Sequence, residues 1–553
     1  MKPRCRTKVK SGCLTCKARK VKCDEGHPVC SRCLSTGRVC EGYGIWGGGG
    51  NQYGHRSAAP SRRDILARPR VPVMLADTVS KEETRCLEWF THRTAMKLPG
   101  AFRSGIWDAL IFQAISAEPA VFHAALALSS AHRREYFPVN VLAVEHAPDE
   151  QEKFVLHHYS RAIAHLQPHF SIKNNASVRI ALLTCLIFVI MEYLRGHYRI
   201  GATHLQNGLK LLNEVHARPS AVNNSADAWI LQAFVRLDVQ AKLLGCGSQR
   251  LHIVLDDCAK DSPAIGTVFR TVDEARQHLD RLLSQILHLG DESRRHSQSQ
   301  DQVQATKLLN RQQRVKSSLD AWFRVLRASK VYLDVQEKSA KIVAYPLLHM
   351  YYTLAEIMAD TCIRSANESR FDAHAEAFAS MMSSLERVRS LTASPAVYAI
   401  LHPPNMSGSI MDLGAHPVVY YTALKCRTRR TRNKAIRILD GLEHKEGIWN
   451  GSLMGSVARE VVKIEEGGFY DVPYTATRGE EPGTTTDEHG NAQPPTLPES
   501  YRLHDVEVEL PEDYAAKATM RCRRRLEDGK WEVIARRFLY DMTSQSWVNE
   551  AEI

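Results

Sequence analysis

CLTCKARKVKC, residues 13–23, carries three cysteines and four basic side chains in eleven positions. Cys30, Cys33 and Cys40 follow, so the pattern C-x2-C-x6-C set by Cys13, Cys16 and Cys23 occurs twice, with six residues between the copies. Structural zinc takes four ligands, so six thiolates are too many for one ion and too few for two unless some are shared. If two of them bridge, six cysteines fill the eight positions that two ions need. Cys13 and Cys30, the first of each copy, are the candidate bridges. The alternatives are an iron–sulfur cluster, two separate sites or a redox-active set. Iron–sulfur sites usually show other spacings, and isolated zinc sites want two C-x2-C pairs each, which favours the two-zinc cluster.

The basic residues are unequally divided between the copies. Lys17, Arg19, Lys20 and Lys22 lie between Cys16 and Cys23, whereas only Arg38 is charged between Cys33 and Cys40. Of the net charge of +12, residues 1–40 contribute +9, so the basic character belongs to the cysteine module. Two Zn2+ with six thiolates are formally −2, which leaves the lysines and arginine to attract phosphate. The metal holds the module together, and the first copy carries the face for nucleic acid.

All six cysteines match the pattern of the fungal zinc binuclear-cluster transcription regulators, which this module resembles. The resemblance implies that the first and fourth cysteines, Cys13 and Cys30, bridge two zinc ions, that each half starts a short helix after its second cysteine, and that Pro28 shapes the loop between halves. It also places Arg19 and Lys20 where the family's base-contacting pair sits, reaching a CGG-type triplet in the major groove, with Lys17 and Lys22 on phosphates. Guanine presents two acceptors there, so Arg or Lys is the expected reader. A generic phosphate role for all four is the competing reading.

Residues 41–75 are rich in Gly, Pro and Arg and read as a flexible tether without heptads. The G-x-G-x-x-G at Gly42, Gly44 and Gly47 follows a metal module rather than a strand, which discards a dinucleotide site. From about residue 80 the apolar spacing turns helical: Trp107, Leu110, Ile111 and Ala114, a new start at Ser116 and Pro119, then helices near 151–166, 176–194 and 199–215, the last two joined at Gly196. Thr271 and Glu274 signal a capping box, 290–303 reads as a loop or helix end, and helices run on to about 390 and again over 418–466. FQAISAEPAVFHAALALSSAHR, the LRGHY pair, FVRLDVQAKLLG, CRTRRTRNKAIRILD and EGIWNGSLMGSVAREVVKIEE resemble the fungal-specific regulatory domain found behind such clusters. That resemblance implies an α-solenoid-like body.

Residues 465–513 carry a net charge of −11, which raises an acidic activation segment as one reading. Alternation at Val506, Val508 and Leu510, then at Ala518, Met520 and Cys522, with Asp528-Gly529 before WEVIARRFLY, argues instead for a three-stranded meander at 501–540 behind a loop at 474–499. The expected organisation is a cluster module at 1–45, a tether at 46–79, a helical regulatory body at 80–466, an acidic loop at 467–500 and a β-meander with tail at 501–553.

Phosphate-loop, zinc-protease and serine-hydrolase motifs do not occur, and an enzyme is not expected. His123, His132, His157 and His158 fall on helices as satisfied or exposed imidazoles, and Arg427, Arg429, Arg430 and Arg432 as an exposed helix face. No apolar run follows Met1, and Ile180 to Met191 is too short for a bilayer, so the expectation is a soluble, intracellular protein without a membrane partner. Its eight remaining cysteines read as scattered free thiols. The sequence therefore predicts a nuclear, sequence-specific regulator of RNA polymerase II genes that binds double-stranded DNA and two zinc ions. It would dimerise, if at all, through the helical body, and would contact the transcription machinery. An interaction scaffold or small-molecule sensor with a purely structural cluster is the alternative.

Overall fold

The computed structural model describes residues 15–16, 19–24, 30–36, 38, 79–102, 104–136, 149–171, 174–216, 225–245, 267–296, 302–336, 340–363, 367–393, 408–442, 444–467, 469–470, 496–512, 517–526, 528–541 and 546–550. Most of the tether and of the acidic loop lie outside them.

The described residues form two main cores, with a small satellite cluster of Leu289, Leu308 and Ile363. The smaller core gathers Cys16, Cys23, Cys30 and Cys33 beside Val21, next to the short helix α1, Ser31–Leu34. The large one belongs to a mainly helical body. Its first helix, α2 (Lys81–Trp89), begins at a capping box in which Ser80 Oγ accepts from Glu83 N and Glu83 Oε2 accepts from Ser80 N. Helices α3 (Ile111–Ala117), α4 (Pro119–Tyr136), α5 (Glu150–Ser171), α6 (Asn175–Arg195) and α7 (Tyr198–His216) follow, α4 packing on α5 and α6 and α6 on α7. Asn174 starts α6 by accepting from Ser177 N, and Gly196, at φ 81°, ends it in the left-handed conformation that glycine adopts without strain. Then come α8 (Ser225–Leu243), α9 (Val272–His296), α10 (Gln302–Gln336), α11 (Ala340–Thr361) and α12 (Ala375–Thr392). Thr271 Oγ1 accepts from Glu274 N at the start of α9, while the Glu274 carboxylate reaches back to Arg270 N, one residue before the expected partner. Contacts among α8 to α11 do not confirm solenoid-like stacking: α8 touches α6, α7 and α9, and α9 touches both α10 and α11.

Three elements differ from the sequence expectations. The segment expected as helices over 418–466 is α13 (His416–Lys425), α14 (Arg429–Asp440) and α15 (Gly451–Glu466), with an unexpected two-stranded hairpin of β1 (Lys445–Glu446) and β2 (Trp449–Asn450) before α15. Strands of two residues are too short to show an alternation. The C-terminal sheet has four antiparallel strands in sequence order, not three: β3 (Leu503–Glu509), β4 (Ala518–Arg525), β5 (Trp531–Asp541) and β6 (Ser546–Asn549). Ala518, Met520 and Cys522 are buried as their alternation implies, but β3 has an irregular register between His504 and Glu507, so Val506 is half-buried and Val508 buried. Finally, α6 is by length and composition apolar enough to cross a membrane, contrary to the expectation from its central run; 83% of its apolar window is buried inside the body.

The sheet is stapled to the body. Ser456 of α15 donates to the Trp547 carbonyl, Arg536 binds Glu460, and Arg502 makes a two-point pair with Asp372. Arg427 and Arg432, expected on an exposed face, are buried around Glu465, whose carboxylate also accepts from Leu503 N at the start of β3. Arg429 and Arg430 are exposed, as expected.

Candidate metal centre and nucleic-acid interface

Four of the six repeat cysteines, Cys16, Cys23, Cys30 and Cys33, are described, and all four are buried. Cys13, Lys17 and Cys40 lie outside the described residues. The sulfurs of Cys16 and Cys30 are 3.7 Å apart and those of Cys16 and Cys33 3.9 Å, while those of Cys16, Cys23 and Cys30 all fall within 4.8 Å of one another. With zinc–sulfur bonds of about 2.3 Å, two thiolates on one tetrahedral ion stand about 3.8 Å apart, so the donors present fit zinc. A disulfide would need about 2.05 Å. Cys30 belongs to the second copy yet lies among thiols of the first, the placement a shared ligand requires. Its sulfur also accepts from Cys33 N at 3.3 Å, a contact favouring thiolate.

Local chain geometry explains how the two copies meet. Cys30 is the N-cap of α1, so this helix begins before the second cysteine of its copy and not after it. Asp24 accepts from Ser31 N at 2.8 Å and Arg32 N at 2.9 Å, tying the end of the first copy to the start of α1. The amide of Arg32 is the main cause holding the Asp24 carboxyl down at about 2. Sequence reasoning counted Asp24 only as charge; an acidic residue ahead of a short helix was the available signal.

The first copy turns rather than continuing as helix through its basic residues. Arg19 N bonds to Thr15 O and Val21 N to Cys16 O, and Lys20 takes φ 56°. A six-to-one bond closed over a left-handed residue is the usual helix stop, with Lys20 where glycine commonly stands. Lys20 and Lys22 are exposed. Arg19 is half-buried and donates from Nη1 to Thr36 Oγ1 at 3.3 Å, bridging the copies. The two residues expected to read bases thus differ: Lys20 projects from a turn, while Arg19 is engaged with the other half.

Residues 11–45 match the fungal Zn(2)-Cys(6) binuclear cluster domain, and residues 94–401 match the fungal specific transcription factor domain. Among curated proteins, the aspercryptin biosynthesis cluster-specific transcription regulator atnN of Emericella nidulans is 28% identical over 339 residues, covering 57% of this chain and about half, 53%, of that protein. The transcription regulator lscL of Purpureocillium lilacinum is 24% identical over 392 residues, covering 66% and 90%. The sorbicillinoid biosynthetic cluster transcription factor sor3 of Hypocrea jecorina is 41% identical over 78 residues, 13% of this chain and 11% of that protein. These matches are named as transcription regulators rather than enzymes. No solved structure matches the chain.

Proposed function

The chain belongs to the fungal specific transcription factor family and carries its two-zinc cysteine domain, and from that premise we propose that the module at 1–45 reads CGG-like triplets at RNA polymerase II promoters in the nucleus while the body at 80–466 regulates the outcome. DNA-binding transcription regulation is the activity of the family; the triplet, the residues and the partners are the proposal. Cys13, Cys16, Cys23, Cys30, Cys33 and Cys40 hold the two ions, with Cys13 and Cys30 shared. The observation that carries the reading is the near-tetrahedral spacing of the Cys16, Cys30 and Cys33 sulfurs, framed by a basic turn. The ions supply folding to a segment too small for an apolar core. Lys20, fixed at the turn, addresses guanine O6 and N7, Arg19 joins it on breaking its bond to Thr36, and Lys17 and Lys22 neutralise phosphates. Two of the relatives are named for biosynthetic clusters, and the proposed targets are likewise genes of a biosynthetic cluster. The full chain would dimerise through its helical body and meet the transcription machinery there.

The test is a salt titration of Lys20→Met and Lys17→Met on a site selected from random DNA and on a scrambled duplex. Lys20→Met is expected to cost about 1 to 3 kcal/mol on the selected site and to relax specificity at one base pair. Lys17→Met should weaken both duplexes alike and reduce the slope of log affinity against log salt by about 0.9. Equal losses for both variants on both duplexes would leave the cluster a structural element of a scaffold or sensor.

A further inference from the structure

A second set of zinc-type donors converges inside the helical body. Gly447, at φ 60°, turns the β1–β2 hairpin so that Glu446 lies under the first turn of α13. There its Oε2 accepts from Gly414 N at 2.9 Å and His416 N at 3.0 Å, and its Oε1 from Ala415 N at 2.8 Å. Onto that same Oε1 come two imidazoles, His416 Nδ1 at 2.7 Å and His444 Nε2 at 3.1 Å. His416 and Glu446 are 0% and 1% exposed, whereas the His444 side chain is 33% exposed and gives the cluster a way to solvent.

The His416 ring is the anomaly. Nδ1 stands 2.7 Å from the Glu446 carboxylate, an ion-pair distance without hydrogen-bond direction, and Nε2 has no hydrogen-bond partner among the described residues. A buried ring nitrogen without a hydrogen bond is costly, and an approach off the bonding direction satisfies Nδ1 only by charge. Two ligands of one ion, with bonds of about 2.0 to 2.2 Å, stand roughly 3.3 Å apart and aim at a third point, not at each other; His444 at 3.1 Å nearly has that spacing, and His416 at 2.7 Å would move outward slightly to admit the ion. Nε2 cannot take that role, because it faces Gly451, where a Cβ would sit 3.0 Å away.

We propose that His416 Nδ1, His444 Nε2 and Glu446 Oε1 bind a zinc-class divalent cation, with a fourth position open to solvent beside His444. Two imidazoles and one carboxylate suit zinc over magnesium or calcium. The three backbone amides fix the carboxylate as outer partners usually fix a ligand. The N-terminus of α13 opposes a cation, so this site is weaker than the six-thiolate cluster and empties first. Bound metal would clamp the hairpin between α14 and α15 to the start of α13. The inference is independent of DNA recognition.

Zinc content of the full chain, measured at micromolar free zinc, tests it. The wild type is expected to hold one equivalent beyond the cluster's two and to lose only that one to a weak chelator, while His444→Gln holds the cluster's two alone. Adding cobalt(II) to wild type from which a weak chelator has removed only that third equivalent should give visible d–d absorption without a thiolate charge-transfer band, and none in His444→Gln. A wild type with two equivalents and no cobalt signal would reduce the group to a hydrogen-bonded cap on α13. An extra equivalent that survives His444→Gln would place the ion on other donors; either result overturns the proposal.

Discussion

Arg19 is engaged by Thr36, and in the proposed recognition the same guanidinium would have to leave that bond for a base edge, serving one at a time. Thr36→Val removes the charge-assisted bond between the halves, a type worth about 1.5 to 3 kcal/mol when shielded and less at this exposed site, along with the hydroxyl's bonds to the Arg32 and Cys33 carbonyls, and should leave DNA affinity unchanged or raise it by freeing the arginine. Arg19→Met should cost about 1 to 3 kcal/mol on the selected duplex. Parallel binding curves check the pair, and equal losses in both would make Arg19 a structural strut. A deeper arginine contact is that of Arg427 and Arg432 with Glu465. Burial pushes the Glu465 carboxyl up, but the two guanidiniums overcome it and hold the group down at about 2, from an ordinary 4.5. Its stabilisation is therefore complete above pH 4.5 and lost as pH falls toward 2. Glu465→Gln leaves buried Arg432 without its carboxylate and Arg427 with Glu368 alone, and should destabilise the body by about 3 to 5 kcal/mol in denaturant melts at pH 7.

Strand β3 tests the register of the C-terminal sheet. Val508 is buried and Val506, beside the irregularity, is half-buried, so Val508→Asp should lower the melting temperature of the body far more than Val506→Asp; a regular three-stranded meander would make the two alike. Between α4 and α5, His123 and His158 share a contact of 3.0 Å, with Glu83, His157, Arg161 and His165 around them, and burial first of all depresses both to about 4. Groups that stay neutral in the fold but charge in the unfolded chain withdraw stability as pH falls from 6.5 to 4. A melting temperature that declines over that interval is the expected result, and a flatter decline in His123→Gln assigns it. Long periodic helices and the alternating strands were legible because one face of each repeats over many residues, and caps such as Ser80 with Glu83 place helix starts. The β1–β2 hairpin was not, since two-residue strands carry no period, nor was strand β6, which is only four residues long. Burial of Arg427 and Arg432 was hidden for another reason: their partner lies more than thirty residues away, and locally they look like a solvated basic face. At the cluster the spacing singled out Cys16, Cys23, Cys30 and Cys33, which lie together in the fold, while the left-handed Lys20 and the Asp24 tie depend on backbone geometry that spacing does not encode.

At the level of the whole chain, the cysteine module and the helical body have separate cores, and only the former is built on thiols meant for metal. A strong chelator should abolish DNA binding and unfold residues 1–45, because zinc supplies on the order of 10 kcal/mol or more to such modules, while the helical circular dichroism of the body persists. Loss of both signals together would show that the two parts fold as one. The attachment of the C-terminal sheet has a further consequence for how the chain responds to cutting. Glu465 to Leu503, Arg502 to Asp372, Glu499 to the amides of Glu368 and Ser369, and Ser456 to Trp547 all cross from one side of the stretch 471–495 to the other. Cleavage at a protease site introduced in that stretch would break the covalent chain and none of these contacts. The two pieces should co-elute as a single particle under native conditions and part only in denaturant, so the sheet can be supplied in trans, as a separately expressed fragment that restores a truncated regulator.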